Sequence, residues 1–100
     1  KKNIKLIKKN SILINVSRAA LVDREPLIQA LVKKNFRGFA IDAHYNEPTI
    51  KNDRLLRLDN VLSTPHIAGS TIDTYKRVIQ ICLENIKRAL QGKKIKYIVK

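Results

Sequence analysis

The sequence predicts an α/β fold, half of a doubly wound parallel sheet followed by one long helix. Three compact apolar runs, residues 12–16, 39–41 and 61–64, are typical of short strands in such a sheet. A helical pattern separates the first two runs, and a crossover of this length makes the two strands parallel. A longer helical pattern follows the third run. We therefore expect the order strand, helix, strand, strand, helix.

The first strand is expected to be buried on both faces, because residues 12–16 do not alternate between apolar and polar side chains. A short segment before it, with Ile4, Leu6 and Ile7 among lysines, suits the end of a helix. Three strands are only part of a doubly wound sheet, and the first strand would keep an unpaired edge. The chain contains no methionine, so either processing has removed its start or it is a piece of a longer protein, and the incomplete sheet suggests an incomplete fold.

The first helix is indicated by residues at both of its ends. Asp23 is a suitable N-cap, and Pro26 stands in the first turn, where its missing N–H costs little. Lys33, Lys34 and Asn35 suit its carboxyl end, and Gly38 follows them. Between these signals, four apolar residues recur at helical spacing and predict a buried face. They are Leu27, Ile28, Leu31 and Val32.

The long second helix has the clearest capping signals. Ser70 and Asp73 match a capping box, in which two side chains satisfy the first free N–H groups. Apolar residues then recur at helical spacing, and Gly92 stands just beyond the last turn. The tail, residues 95–99, has the composition of one more strand.

Composition excludes several classes of protein. The single cysteine, Cys82, excludes an internal disulfide framework and a cysteine-based zinc cluster. No apolar stretch approaches the roughly 20 residues that a membrane-spanning helix needs, and a cytosolic setting fits. The net charge is +13, but basic residues concentrate at the two ends and aromatic residues make up only 5%. A solvated basic surface therefore explains the charge better than a nucleic-acid site.

Ionisable side chains follow all three predicted strands. Arg18 follows the first strand, Asp42 and Glu47 the second, and His66 the third. The carboxyl ends of parallel strands meet at one edge of a sheet, where ligands bind. Arginine suits a carboxylate, histidine exchanges protons near neutral pH, and a glutamate would hold its second ring nitrogen. The set predicts proton transfer at a carbon beside a carboxylate, and no metal-ligand spacing competes with it.

Each of these residues also has a plain structural interpretation. Arg18 alone could form a surface ion pair with a nearby acidic residue, and Glu47 could be a solvated loop charge. Asp42 could cap a turn, and His66 could be a structural histidine with satisfied hydrogen bonds. His44, in the loop after Asp42, is interpreted as a packing or surface residue. The shared position at strand ends favours the functional interpretation of the set.

Three segments in order, residues 11–23, 38–48 and 60–71, resemble the C-terminal part of the D-isomer-specific 2-hydroxyacid dehydrogenase family. The resemblance implies that residues 1–70 form the second half of a Rossmann-like NAD(P)-binding domain. Residues 71–91 would be a long helix that crosses towards a substrate domain, and residues 92–100 would belong to that domain. The phosphate-binding G-x-G-x-x-G motif would lie in the missing N-terminal half.

The resemblance also implies roles for the residues at the strand ends. Arg18 would bind the carboxylate and keto oxygen of the substrate, and His66 would donate the proton to that oxygen. Glu47 would pair with His66, and Asp42 would accept a hydrogen bond from the nicotinamide carboxamide. The expected cofactor-binding residues are Val16, Ser17, Arg18, Asp42, His66, Ala68 and Gly69.

The implied activity is the NAD- or NADP-dependent interconversion of 2-keto acids and D-2-hydroxy acids by hydride transfer. The enzyme is expected to be a homodimer without membrane or nucleic-acid partners, and this segment alone is expected to be inactive. The alternative is a non-catalytic dehydrogenase-like remnant, or a regulatory or binding protein with weak affinity for polyanions. Ala19 and Ala20 stand where the family has glycine, which requires a negative φ there. Ala43 and His44 replace the family's valine and aromatic residue.

Overall fold

The computed structural model describes residues 3–98, and the chain divides into two compact units, Lys1–Ala68 and Gly69–Lys100. The first unit contains all the described strands, and the second contains the long helix. Short 3-10 helices precede the first strand and follow it. The elements are the 3-10 helices Asn3–Leu6 and Ala19–Leu21, the strands β1 (Ile12–Asn15), β2 (Gly38–Ile41) and β3 (Val61–Ser63), and the helices α1 (Arg24–Val32) and α2 (Ile72–Leu90).

The described strands form a parallel sheet in the order β1-β2-β3. Asn15 at the end of β1 is in register with Ile41 at the end of β2, and Ile41 is in register with Ser63 of β3. The three strands therefore end together at one edge. The fold class predicted from the sequence, a parallel α/β half-sheet followed by a long helix, is confirmed.

Helix α1 packs against the sheet and forms the core of the first unit, together with residues after β2. Leu27 and Leu31 of α1 are almost fully buried, as is Phe39 of β2. The expectation that β1 is buried on both faces is wrong for the described residues, because Ile12 is 54% exposed and Ile14 is 65% exposed. The described residues cover only the other face of β1, where half-buried Leu13 packs against the core.

Helix α1 begins after Asp23, as predicted, but it does not end with a glycine. Lys34 adopts the left-handed conformation with φ at 51°, and its N–H donates to the Leu31 carbonyl at 3.0 Å. The Asn35 N–H donates to the Ala30 carbonyl at 2.9 Å, which completes a Schellman motif. The predicted carboxyl end at Lys33 to Asn35 is therefore confirmed, and Gly38 lies beyond it without closing the helix.

Gly38 is instead the first residue of β2, and glycine is required there by a close approach of the backbone. A Cβ atom at Gly38 would lie only 2.9 Å from the carbonyl oxygen of Asn60. The same carbonyl accepts a hydrogen bond from the Phe39 N–H at 2.9 Å, so it cannot move away without loss of that bond. This position holds β2 against the chain that enters β3.

Helix α2 begins one residue later than the predicted capping box. Thr71 is the N-cap, and its hydroxyl oxygen accepts a hydrogen bond from the Thr74 N–H at 3.1 Å. The pairing of Ser70 with Asp73 is therefore wrong, because the Thr71 hydroxyl already satisfies a free N–H of the first turn. Gly92 follows the helix with φ at +65°, as predicted. Within residues 3–98, no helix is both long enough and apolar enough to cross a membrane.

The predicted strand in the tail is absent from residues 95–98, and Val99 lies outside the described residues. The side chain of Asn85 in α2 forms hydrogen bonds with both the main-chain carbonyl and the main-chain N–H of Lys96. Its Nδ2 donates to the Lys96 carbonyl at 3.0 Å, and its Oδ1 accepts from the Lys96 N–H at 2.8 Å. Because Asn85 satisfies these groups, the tail folds back on its own helix instead of pairing as a strand.

Candidate functional site

The ends of the three strands are held together by main-chain hydrogen bonds. The N–H of Asp42 donates to the carbonyl of Asn15 at 3.2 Å, and the N–H of Thr64 donates to the carbonyl of Ile41 at 3.0 Å. The segments that follow β1, β2 and β3 therefore start side by side. This places the residues predicted for the site at the same edge of the sheet.

The turn that carries Arg18 is shaped by Asn15, which is 7% exposed. Its Oδ1 accepts from the Ser17 N–H at 3.1 Å, and its Nδ2 donates to the Arg18 carbonyl at 2.8 Å. Asparagine commonly forms such turns, so its place after an apolar run is a sequence signal for this role. Ala19 and Ala20 lie in a 3-10 helix, and both have negative φ. This is the conformation that alanine requires at these positions.

Glu47 and His66 form a hydrogen-bonded pair. The Nδ1 atom of His66 lies 2.8 Å from Oε1 of Glu47 and 3.0 Å from Oε2. The main-chain N–H of His44 donates to the same Oε1 at 2.8 Å. These hydrogen bonds lower the pKa of Glu47 below its ordinary value, and the bond from His44 has the larger effect. An ionised carboxylate only accepts hydrogen bonds, so Nδ1 of His66 carries the hydrogen.

Asp42 is buried, with 2% of the residue exposed, and it binds the chain on both sides of His66. Its Oδ1 accepts from the Thr64 hydroxyl at 2.6 Å and from the Ile67 N–H at 2.9 Å. Its Oδ2 accepts from the Ala68 N–H at 2.9 Å. The Thr64 hydroxyl contributes most to lowering the pKa of Asp42, and it outweighs the effect of burial with the help of the two N–H groups.

His66 itself has φ at 57°, in the left-handed region that non-glycine residues avoid. Such a conformation persists where the surrounding structure determines it, and it is frequent at functional sites. Here the hydrogen bonds of Asp42 to residues before and after His66 supply that constraint.

A cavity of about 420 Å³ lies beside the Glu47–His66 pair. Arg18 is not among its lining residues. The Nη1 atom of Arg18 donates to the Ser17 carbonyl at 2.8 Å, and the side chain is exposed. The structure thus brings Asp42, Glu47 and His66 into one network and leaves Arg18 outside it. The cavity is lined by His44, Glu47, Pro48, Thr49, Leu56, Ser63, Thr64, Pro65 and His66.

The remaining residues predicted to bind the cofactor are accessible. Val16 is 59% exposed at the end of β1, and Ser17 is exposed beside it. Ala68 and Gly69 are exposed in the segment after His66. Each of these positions can therefore be reached by a ligand.

A second cluster, which sequence reasoning missed, anchors the loop after β2. The guanidinium of Arg24 lies 5.8 Å from the ring centroid of Tyr45, and its Nη2 lies 2.8 Å from Oδ1 of Asp53. The Tyr45 hydroxyl donates to the Val22 carbonyl. Burial raises the pKa of Asp53, but hydrogen bonds from the Leu55 N–H and from Arg24 outweigh it, and the net shift is downward. The cluster fixes both sides of the loop that carries Glu47.

Comparison with known proteins finds a family model described as D-isomer specific 2-hydroxyacid dehydrogenase, NAD binding domain, which matches residues 1–68. A D-3-phosphoglycerate dehydrogenase of Escherichia coli K12 is 44% identical over 100 residues, covering 96% of this chain and 22% of the relative. That of Methanocaldococcus jannaschii is 40% identical over 92 residues, covering 92% and 17%.

Among solved structures, a D-isomer specific 2-hydroxyacid dehydrogenase from Xanthobacter autotrophicus Py2, in complex with NADPH and MES, superposes with a TM-score of 0.86. It is 29% identical, and the match covers 99% of this chain and 40% of that chain. The chain spans only about a fifth of the length of the two curated relatives, 22% and 17%.

Proposed function

Because the chain belongs to the D-isomer specific 2-hydroxyacid dehydrogenase family through its NAD-binding domain, we propose that its protein interconverts 2-keto acids and D-2-hydroxy acids. The match over residues 1–68 confirms the predicted family and the cofactor class, NAD or NADP. The observation that carries the proposed reaction is the Glu47–His66 hydrogen bond of 2.8 Å beside an open cavity.

His66 acts in this proposal as the acid in reduction and the base in oxidation. Glu47 keeps the hydrogen on Nδ1, so Nε2 is the nitrogen that gains and loses the exchanged proton. In reduction, the carbonyl carbon receives a hydride and the carbonyl oxygen receives the proton from Nε2. In oxidation, neutral His66 takes the hydroxyl proton as the hydride leaves. A histidine suits both directions because its charge changes near neutral pH.

Arg18 binds the substrate carboxylate in this proposal. Its side chain is exposed, and its described hydrogen bond to Ser17 uses one of five guanidinium N–H groups. The remaining donors form the rigid fork that a carboxylate accepts in bidentate geometry.

The exposed residues at the strand ends fit a nicotinamide cofactor. Val16 offers an exposed apolar side chain, and Ser17 and Ala68 are exposed beside the strand ends. Asp42, unlike these residues, is buried, and its three described hydrogen bonds leave one of about four carboxylate acceptor positions for a carboxamide N–H. These residues would hold and orient the cofactor, which would supply the hydride in reduction as NADH or NADPH and would take it up in oxidation as NAD or NADP.

The test of the proposal is His66→Ala in the whole protein. The kcat for keto-acid reduction should fall at least about 100-fold, as expected when an acid–base group is lost. Glu47→Gln should cause a smaller loss, because it keeps the shape of the side chain and removes its charge. The assay should use NADH and NADPH in turn. The keto acids to test are the one formed by oxidation of D-3-phosphoglycerate, and glyoxylate, because relatives of this chain are named for these compounds.

Near-normal turnover in His66→Ala would rule out the assigned role of His66. Absence of any reduction by the unsubstituted whole protein, together with salt-sensitive binding of a nucleic-acid probe that NADH does not affect, would favour the binding-protein alternative.

A second test addresses Arg18 and the substrate carboxylate. Arg18→Lys keeps the positive charge but loses the planar fork, so one charged hydrogen bond is lost. We expect KM for the keto acid to rise about tenfold, which corresponds to about 1.4 kcal/mol of binding. The KM for the cofactor measured in the same assays is the control. An unchanged KM for the keto acid would contradict the role of Arg18.

A further inference from the structure

His44 makes two contacts in the site that the proposed reaction does not use. It is half-buried and lines the cavity beside the Glu47–His66 pair. Its main-chain N–H donates to Oε1 of Glu47 at 2.8 Å. Its ring Nε2 lies 2.9 Å from the carbonyl oxygen of Thr64, which is 20 residues away in the sequence. One residue therefore touches both segments that carry the acid–base pair.

The contact with Thr64 fixes which ring nitrogen of His44 is protonated. A carbonyl oxygen only accepts hydrogen bonds, so Nε2 of His44 must carry a hydrogen and donate it. The same Thr64 carbonyl also accepts a hydrogen bond from the main-chain N–H of His66 at 3.0 Å. Its two lone pairs are thus used by His44 and His66, the former through its ring and the latter through its backbone.

The backbone of His66 needs such support, because its φ of 57° is unfavourable for a residue with a Cβ atom. If the Thr64 carbonyl turned away, the His66 N–H would lose its acceptor, and the ring would lose its fixed direction towards Glu47. The hydrogen bonds of His44 to Glu47 and to the Thr64 carbonyl limit this movement. They keep Nδ1 of His66 at 2.8 Å from Oε1 of Glu47.

We propose that His44 is a positioning residue for the Glu47–His66 pair, acting through the Glu47 carboxylate and the Thr64 carbonyl. This inference rests on the proposed function, in which His66 exchanges the proton. His44 itself touches no reacting atom. Its main chain orients the carboxylate, and its ring holds the carbonyl to which the His66 backbone is bonded.

The test compares His44→Phe with His44→Gln in the whole protein. Phenylalanine keeps the ring volume but cannot donate to the Thr64 carbonyl, whereas the amide nitrogen of glutamine replaces the Nε2 donor. Both variants keep the main-chain N–H to Glu47. We expect His44→Phe to lower kcat about tenfold, equivalent to one hydrogen bond, with KM for the keto acid within about twofold. His44→Gln should restore kcat to within about threefold of the unsubstituted protein.

Three results would overturn the inference. One is an unchanged kcat in His44→Phe. The second is a rise in KM without a fall in kcat, which would indicate that His44 contacts the substrate. The third is a kcat in His44→Gln as low as in His44→Phe, since rescue by a donor is what distinguishes positioning from packing.

A readout that does not depend on turnover separates this inference from the proposed function. The ring nitrogens of His66, observed by 15N NMR, should report a protonated Nδ1 in the unsubstituted protein and in His44→Gln. In His44→Phe they should report a mixture of tautomers, because the ring is no longer held against Glu47. Identical His66 signals in all three proteins would overturn the role of His44, whether or not the protein reduces a keto acid.

Discussion

The side chains at the ends of the strands gain their properties from the main chain around them. Asp42 is buried, yet hydrogen bonds to its oxygens stabilise the charged form more than burial disfavours it. Glu47 is exposed, and its charged form is stabilised first by the main-chain N–H of His44. The loop that carries His66 thus stabilises the charge of Asp42, and the loop that carries Glu47 stabilises the charge of Glu47 itself. Charge and geometry in this site therefore depend on the same hydrogen bonds.

Thr64→Val tests this dependence at Asp42. Folding lowers the pKa of Asp42 below its ordinary value of 3.8, so its contribution to stability is complete above that value and is lost as pH falls through the folded pKa. Valine removes the hydroxyl that contributes most to the shift and leaves the shape nearly unchanged. The variant should therefore be less stable at neutral pH, and the part of its free energy of unfolding that is lost on acidification should be smaller and end at a higher pH than in the unsubstituted protein.

The measurement is denaturant unfolding of the whole protein between about pH 2 and pH 6, around the ordinary titration range of carboxylates. Ser63→Ala is the matched control, since it removes a neighbouring hydroxyl that the described hydrogen bonds do not connect to Asp42. Superimposable acid profiles for Thr64→Val and Ser63→Ala would show that the Thr64 hydroxyl does not stabilise ionised Asp42.

The helices α1 and α2 end in the same way with different residues. Both ends need a residue with positive φ, and this residue is Lys34 after α1 and Gly92 after α2. Gly92 was predictable because glycine is the common residue in that position. Lys34 was predicted to lie at the carboxyl end of α1, but its left-handed conformation was not predictable, because its side chain gives no signal for that region. Gly38 is explained by its distance to Asn60, a tertiary contact that no local pattern reveals.

Lys34→Gly should stabilise the protein. A residue with a Cβ atom in the left-handed conformation costs about 1–2 kcal/mol, and the greater freedom of glycine in the unfolded chain offsets about 0.5–1 kcal/mol of that gain. We expect the free energy of unfolding to rise by about 0.5–1 kcal/mol. Lys33→Gly is the control, because Lys33 has an ordinary helical conformation with φ at −75°. It should destabilise the protein, and a loss of stability in both variants would contradict the explanation.

Across the molecule, the sequence predicted what depends on a local pattern or on the family signature, and it missed contacts between distant residues that neither of these marks. The strand ends, the parallel order and the Glu47–His66 pair followed from apolar runs and a known family signature. The ring contact of His44 with Thr64 joins residues 20 apart, and the Arg24–Asp53 pair joins residues 29 apart. Such contacts carry no periodic signal. Double burial of β1 was also wrong for the described residues, because a continuous apolar run cannot specify what covers each face.

The Arg24–Asp53 pair joins the start of α1 to the loop between β2 and β3. The Asp53 side chain is 8% exposed, and its Oδ1 accepts from both Arg24 and the Leu55 N–H at 2.8 Å. Asp53→Asn keeps an acceptor for Leu55 but removes the charge that faces the guanidinium. We expect the free energy of unfolding to fall by about 1–2 kcal/mol, because the hydrogen bond from Arg24 loses the ionised acceptor that makes it stronger than a bond to a neutral amide oxygen.

The control for Asp53→Asn is Glu25→Gln, which removes an acidic charge that lies 3.5 Å from Arg54 and 4.0 Å from Nη1 of Arg24. The side chains of Glu25 and Arg54 are 55% and 69% exposed, so their attraction is screened by solvent. Glu25→Gln should change the free energy of unfolding by less than about 1 kcal/mol. Denaturant unfolding of the two variants at neutral pH compares one enclosed and one exposed pair in the same protein. Equal losses would mean that the charge of Asp53 does not hold the loop to α1, and that its hydrogen bond to Leu55 is sufficient.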